Sequence, residues 1–169
     1  MGPDAMRPAS AGVTFRRFAP TQEVRRPFSM LQIDHYEGTY GPTIWLEVDT
    51  APDLAQLYAI FLELARGAGD DIELCSAMAA RAVNLGELRL RLDPSRRARR
   101  MRLIRRPNDR TRDQAPQPTS FVWSDTRSGW QRQAELVDSL LRKSGAAHRD
   151  LSEEGVDDAL IELSFLRAG

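Results

Sequence analysis

The chain has 169 residues, 24 basic and 24 acidic side chains that leave no formal net charge, and a single cysteine, Cys75. This length fits one domain with a hydrophobic core, and the balanced charge excludes a global field that would drive the protein to nucleic acid or membranes. The lone cysteine excludes an internal disulfide, and the absence of a membrane-length apolar segment or an apolar amino-terminal region predicts a cytoplasmic protein.

Residues 1–27 are predicted to form a flexible arm, because they contain four prolines and few apolar residues. The remaining residues, 28–169, are predicted to form a single α+β domain. Its first two strands are expected at 30–34 and 43–49. In the second, Ile44, Leu46 and Val48 alternate with Trp45 and Glu47, which is typical of a strand with one buried face.

Two amphipathic helices are predicted. The first begins after Thr50, carries Pro52 in its first turn and ends near Gly67. The second follows the apolar strand 121–123. Ser128 and Gln131 form a capping-box pattern at its start, and Gly145 is the expected C-cap. Its predicted buried stripe consists of residues at helical spacing, Trp130, Ala134, Val137 and Leu141, and is widened by Gln133, Leu136 and Leu140.

Further strands are predicted at 71–75, 85–92, 100–106 and 158–165, with 100–106 as the hairpin partner of 85–92. The order of elements predicts an α+β two-layer sandwich, a mostly antiparallel sheet with two helices packed on one face. No internal repeat is visible in the sequence.

Nine arginines lie between Arg96 and Arg112, and Asp109 is the only acid among them. The segment contains no aromatic residue that could stack on a base and matches no nucleic-acid-binding motif. A solvated charged hairpin, an acidic protein partner and a nucleic acid remain three open interpretations. An acidic stretch, Asp150–Glu162, could pair with this segment within one molecule or between two copies.

No motif predicts catalysis, a metal or a cofactor. The two histidines, His35 and His148, lack a recognisable nucleophile partner, although His148 and Asp150 are close in sequence and Cys75 is a formal nucleophile. Adjacent carboxylates at 157–158 lack the spacing of a calcium loop.

The second half of the sequence resembles a group of small uncharacterised bacterial α+β proteins associated with polymorphic-toxin immunity. The resemblance rests on Phe121–Thr126, Trp130, the stretch 134–137, Leu140, Leu141, Gly145, His148, Leu151 and the closing segment Asp157–Phe165. It covers about the last 50 residues and, more faintly, 45–74. It implies a non-enzymatic protein that binds and neutralises a toxin.

Protein binding is therefore the first functional hypothesis, and a homodimer is an alternative form of it. The proposed anchors are aromatic and arginine side chains, because these residue types dominate interface hot spots. They are Tyr36, Tyr40, Trp45, Arg89, Arg91, Arg100 and Arg102. The alternatives are nucleic-acid binding through Arg96–Arg112 and a small-ligand or enzymatic cleft between helices and sheet, near Cys75 and a histidine.

Overall fold

The computed structural model describes residues 31–38, 41–94, 102–105, 118–152 and 160–166, with only the backbone for 102–105. The predicted arm at 1–27 lies outside these residues. In chain order the elements are β1 (Gln32–Gly38), β2 (Gly41–Val48), α1 (Ala51–Arg66), β3 (Asp71–Glu73), α2 (Leu74–Ala77), β4 (Arg81–Val83), β5 (Leu85–Leu92), β6 (Arg102–Arg105), β7 (Thr119–Asp125), α3 (Arg127–Leu141), β8 (Ala147–Asp150) and β9 (Leu160–Phe165).

The described strands form two sheets, whereas the sequence predicted one. Sheet A has the order β4-β1-β2-β9-β8, and sheet B has the order β3-β5-β7-β6. Among the described strand pairs, four are antiparallel and three are parallel. The class is α+β, as predicted. The outermost strands of both sheets are short, with three residues in β3 and β4 and four in β6 and β8.

The predicted hairpin between β5 and β6 is wrong. Strand β7 lies between them, parallel to β5 and antiparallel to β6. Five consecutive residues of β7, Phe121–Asp125, are buried, as expected for a central strand covered on both faces. A strand of this kind takes the middle of a sheet, so the arginine-bearing β6 is left at the edge.

The first helix has the predicted ends. Thr50 is its N-cap, and its hydroxyl accepts a hydrogen bond from the Asp53 amide at 3.3 Å. Gly67 closes α1 in the left-handed region with φ 70°, a conformation that favours glycine.

The predicted ends of the second helix are wrong. Thr126, not Ser128, caps α3, because its hydroxyl is placed to accept from the Gly129 amide at 3.1 Å. The Gln131 side chain instead donates to Glu135 one turn later. The helix ends at Leu141, and Gly145, with φ 101°, lies in the turn before β8.

One hydrophobic cluster includes residues of both sheets and both long helices. At its centre the rings of Phe61, Trp123 and Trp130 lie within 4.9–5.5 Å of one another, centroid to centroid. The indole N–H of Trp130 donates to the backbone carbonyl of Arg91 at 3.2 Å, which fixes α3 against sheet B. The guanidinium of Arg127, at the start of α3, lies against Gly67 at the end of α1. The two helices are therefore antiparallel neighbours.

The topology of the second half repeats that of the first, although the sequence shows no repeat. Each half runs strand, strand, helix, strand, strand: β1-β2-α1-β3-β5, then β6-β7-α3-β8-β9, with α2 and β4 inserted in the first. In both halves the first two strands pair antiparallel, and so do the last two. The last two strands join the sheet of the other half, where β9 lies parallel to β2 and β5 parallel to β7.

The two long helices match position by position when counted from their N-cap threonines. The paired buried positions are Leu54 with Trp130, Leu57 with Gln133, Phe61 with Val137, and Leu64 with Leu140. The two helices bury the same face, with different side chains at three of these four positions. Gln133 is the polar member of the set.

Three short elements differ from the predictions. The predicted strand 71–75 ends at Glu73, and a single helical turn, α2, places Cys75 at an intermediate depth. Strands β4 and β8 were not predicted, because neither has a clear apolar alternation. Of the helices in the described part of the chain, none is long and apolar enough to cross a membrane.

Candidate functional site

The outer surface of sheet A carries exposed aromatic and acidic side chains. Alternation along each strand turns Ile33, Ile44, Leu46, Ile161 and Leu163 into the core, so their neighbours face outward. We call this outward surface the acidic face. It is formed by Asp34, Tyr36, Trp45, Glu47, His148, Asp150, Glu162 and Ser164.

Trp45 lies at the centre of the acidic face. Across the sheet it is paired with Asp34 on β1 and with Glu162 on β9, and Asp150 on β8 follows in the same row. Glu47 is the next outward residue along β2. The half-buried indole is therefore bordered by carboxylates on three sides.

Two carboxylates of the acidic face have no counter-ion among the residues that the structure describes. Neither Glu47 nor Glu162 forms an ion pair with a described residue. Partial burial raises the pKa of Glu47, and the nearby Asp49 raises it further. Partial burial also raises the pKa of Tyr36, with further increases from Glu162 and Asp34 that exceed the opposing effect of a Thr43 hydrogen bond. These shifts are consistent with a negative potential at this surface.

The remaining polar groups of the acidic face are hydrogen-bonded. Asp34 accepts from the His35 amide at 2.7 Å and from the Asn84 side chain at 3.1 Å. At the margin, Arg81 of β4 is in register with Gln32 and contributes a positive charge.

His148 lies beside Trp45, where its imidazole contacts the side chains of Ser164 and Asp150. The imidazole Nδ1 is 3.1 Å from the Ser164 hydroxyl, Nε2 is 3.3 Å from the Asp150 carboxylate, and the ring centroid is 6.1 Å from that of Trp45. A serine nucleophile must be open to its substrate, but Ser164 is only 7% exposed. These contacts therefore fix the orientation of the imidazole and do not present a nucleophile. The other histidine, His35, lies on the inner side of sheet A, with its ring 4.7 Å from Phe121.

The predicted anchors Arg89 and Arg91 lie on the other sheet and are paired within the molecule. Arg89 donates to Asp71 at 2.6 Å and to Glu87 at 2.9 Å, and Arg91 donates to Asp71 at 2.7 and 3.1 Å. Burial by itself would raise the pKa of Asp71, but these two arginines outweigh it and leave the pKa lowered. Both guanidinium groups therefore form ion pairs within sheet B, with Asp71 on β3 and, for Arg89, also with Glu87 on β5.

The structure thus brings together only part of the predicted anchor set. Tyr36, 42% exposed, and Trp45 share the acidic face, whereas Arg89 and Arg91 lie on sheet B. Arg102 lies in edge strand β6. Tyr40 and Arg100 lie outside the described residues, as does most of the segment Arg96–Arg112.

An open depression near Cys75 corresponds to the cleft that the sequence left open as an alternative. It is lined by Glu73, Cys75, Ser76, Gly86, Glu87, Pro118 and Ser120, with no histidine among them. Burial, followed by the proximity of Glu73, raises the pKa of the Cys75 thiol to about 11. Since the thiolate is the reactive form, this cysteine is a poor nucleophile at neutral pH.

The sequence pointed to Trp45 and Tyr36 but missed the carboxylates around them. The alternation at 44–48 and 161–165 already placed Glu47 and Glu162 on outward faces. Their proximity depends on the parallel pairing of β2 with β9, which joins residues far apart in the chain and leaves no local signal.

No group of three or more metal-ligating side chains occurs in the part of the chain that the structure describes. No family model, curated protein or solved structure matches the chain. Its function must therefore be inferred from its own residues.

Proposed function

We propose that this protein acts by binding another protein and that the acidic face of sheet A is its binding surface. The observation that carries the proposal is a half-buried Trp45 bordered by two carboxylates, Glu47 and Glu162, that form no ion pair with a described residue. Tryptophan and tyrosine are common interface anchors, because they bury a large area with few rotatable bonds. A bacterial toxin is the partner that the resemblance to immunity proteins implies.

Nucleic-acid binding remains the alternative function, and the charge distribution supports it less well. A phosphate-binding surface needs arginines with available donors, and those of Arg89 and Arg91 are directed to Asp71 and Glu87. The acidic face would repel a phosphate backbone. This alternative therefore depends on Arg96–Arg112, most of which lies outside the described residues.

The test is affinity capture from a lysate of the source organism with three forms of the full chain. These are the wild type, Trp45→Ala, and the double variant Arg89→Ala/Arg91→Ala as a control on the opposite sheet. We expect one stoichiometric protein that survives nuclease treatment, is retained by the arginine variant and is lost with Trp45→Ala. Loss of a hot-spot tryptophan weakens binding by about 2 kcal/mol or more.

Two results would contradict the proposal. A partner that is lost only with the arginine variant would move the binding surface to sheet B. Recovery of nucleic acid alone, released by a modest increase in salt, would favour the alternative function. Circular dichroism of each variant would show that the fold is intact, because Trp45 is not part of the buried core.

A further inference from the structure

We infer that the acidic face binds a cationic protein segment, with an arginine or lysine side chain placed over Trp45 and paired with Glu47 and Glu162. This inference rests on the proposed function and adds the chemistry of the partner. It commits to a basic polypeptide, not to a nucleic acid, a metal ion or a second copy of the chain.

The arrangement around Trp45 suits a guanidinium or ammonium group. A cation is attracted to the face of an indole, and a guanidinium can also form paired hydrogen bonds with a carboxylate. Glu162 flanks Trp45 on the neighbouring strand, and Glu47 follows it along its own strand. A cation above the ring would therefore have one carboxylate across the sheet and a second along the strand.

Within the described residues, the two carboxylates closest to Trp45 along and across the strands, Glu47 and Glu162, are not neutralised by an ion pair. On sheet B the carboxylate of Asp71 is paired with two arginines, whereas Glu47 and Glu162 have no cationic partner among the described residues. Glu47 is also partly desolvated beside Asp49. A partner that supplies positive charge would provide the missing counter-ion and would offset the repulsion between Glu47 and Asp49. Such charge complementarity also speeds association.

The size of the acidic face limits the partner's contact region. Five strands spaced about 4.8 Å apart give a width of about 20 Å, and the longest strand gives a length of about 25 Å. A typical stable interface covers about 800 Å² on each side. These dimensions give an area of at most about 500 Å², which is well below that value and fits a single loop or extended segment of the partner.

The first experiment uses a hexa-arginine peptide as the probe and its hexa-citrulline counterpart as a neutral control of the same shape. Binding to the full chain is followed by calorimetry and by tryptophan fluorescence with acrylamide quenching. Trp123 and Trp130 are fully buried, so the change in quenching reports on Trp45. We expect protection of Trp45 by the arginine peptide, no binding of the citrulline peptide, and weakening as salt rises from about 50 to about 300 mM.

The matched variants separate this site from general charge attraction. Glu47→Gln/Glu162→Gln removes two charges from the acidic face, and Glu63→Gln/Glu135→Gln removes two charges from exposed positions of α1 and α3. We expect about a tenfold loss of affinity for the first pair and less than about a twofold loss for the second. Trp45→Leu, which keeps the carboxylates, should lose about fivefold.

Equal losses for the two double variants, binding of the citrulline peptide, or no binding to the wild type would overturn the inference. A dimer in sedimentation that Glu47→Gln/Glu162→Gln dissociates would identify a second copy as the occupant and would also overturn it. Failure of this inference can be distinguished from failure of the proposed function. A captured protein that depends on Trp45 but not on Glu47 and Glu162 would retain protein binding while excluding a cationic contact.

Discussion

Glu47 is placed where its charge is unfavourable for folding. It is partly desolvated, lies near Asp49 and lacks a cationic partner among the described residues. Its pKa is therefore higher in the folded than in the unfolded chain, so the ionised carboxylate destabilises the fold at neutral pH. Binding surfaces often keep side chains that lower stability.

We predict that Glu47→Gln stabilises the protein by about 0.5 kcal/mol at pH 7, a small value because solvent screens a half-exposed charge. This charge-related gain should diminish as pH falls through the raised folded pKa and disappear below the ordinary value of 4.5, where the carboxyl is protonated in both states. Urea unfolding of wild type and variant across this pH range measures the difference. A gain that does not vary with pH would show that charge is not its cause.

Gln133 is a second unfavourable residue, but in the core. It is fully buried, and neither amide atom has a hydrogen-bond partner among the described residues. The equivalent position of α1 is Leu57. Because a buried amide without partners costs about 1–3 kcal/mol, we predict that Gln133→Leu raises the free energy of unfolding by about 1–2 kcal/mol.

Chemical denaturation measures the effect of Gln133→Leu, with Gln131→Leu on the exposed side of the same helix as the control. The control should stay within about 0.5 kcal/mol of wild type. A destabilised Gln133→Leu variant would indicate that the amide is hydrogen-bonded in solution.

At the scale of elements, the start of α3 is defined by a close approach. A Cβ atom on Gly129 would overlap the Asp125 carboxylate, which accepts a hydrogen bond from the Thr126 amide at 2.7 Å. Helix propensity alone favours alanine over glycine by about 1 kcal/mol. The overlap must displace a buried side chain and should outweigh that gain.

We therefore predict that Gly129→Ala destabilises the protein by about 1–3 kcal/mol, in the range of other overpacked sites. Thermal unfolding provides the measurement, and Ser128→Ala at the exposed neighbouring position should change stability by less than about 0.5 kcal/mol. An increase in stability for Gly129→Ala would mean that Asp125 moves aside freely and that propensity decides the outcome.

Some helices and strands could be predicted from the sequence, and others could not. Local sequence was sufficient to predict the spacing of apolar residues in α1, β2, β5 and β9 and the N-cap at Thr50, because these features depend on neighbouring residues. The α3 cap was misplaced, since Thr126 and Ser128 are chemically similar and the backbone decides between them. The acidic face, the central position of β7 and the division into two sheets depend on pairings distant in sequence.

At the scale of the whole molecule, the two halves exchange their last two strands. Sheet A takes β8 and β9 from the second half, and sheet B takes β3 and β5 from the first. Neither half contains a complete sheet, and the buried helix pair takes one helix from each. Folding of one half should therefore require the other.

We predict that fragments separated between β5 and β6 are each unfolded alone and reconstitute the fold when mixed. Circular dichroism and size-exclusion chromatography of the separate and mixed fragments would measure this. Because the intact domain is held by contacts between the halves, its unfolding should be a single cooperative transition. A fragment that folds by itself, with its own unfolding transition, would contradict the prediction.

The short outermost strands have a consequence for how this protein meets other chains. An exposed sheet edge invites a further strand to pair with its free backbone groups, which leads to aggregation when the edge is long and flat. In the described part of the chain β3, β4, β6 and β8 offer three or four residues each, too few to template an added strand of ordinary length. The protein should therefore resist strand-by-strand aggregation at high concentration and engage its partners through side chains on the broad surface of a sheet.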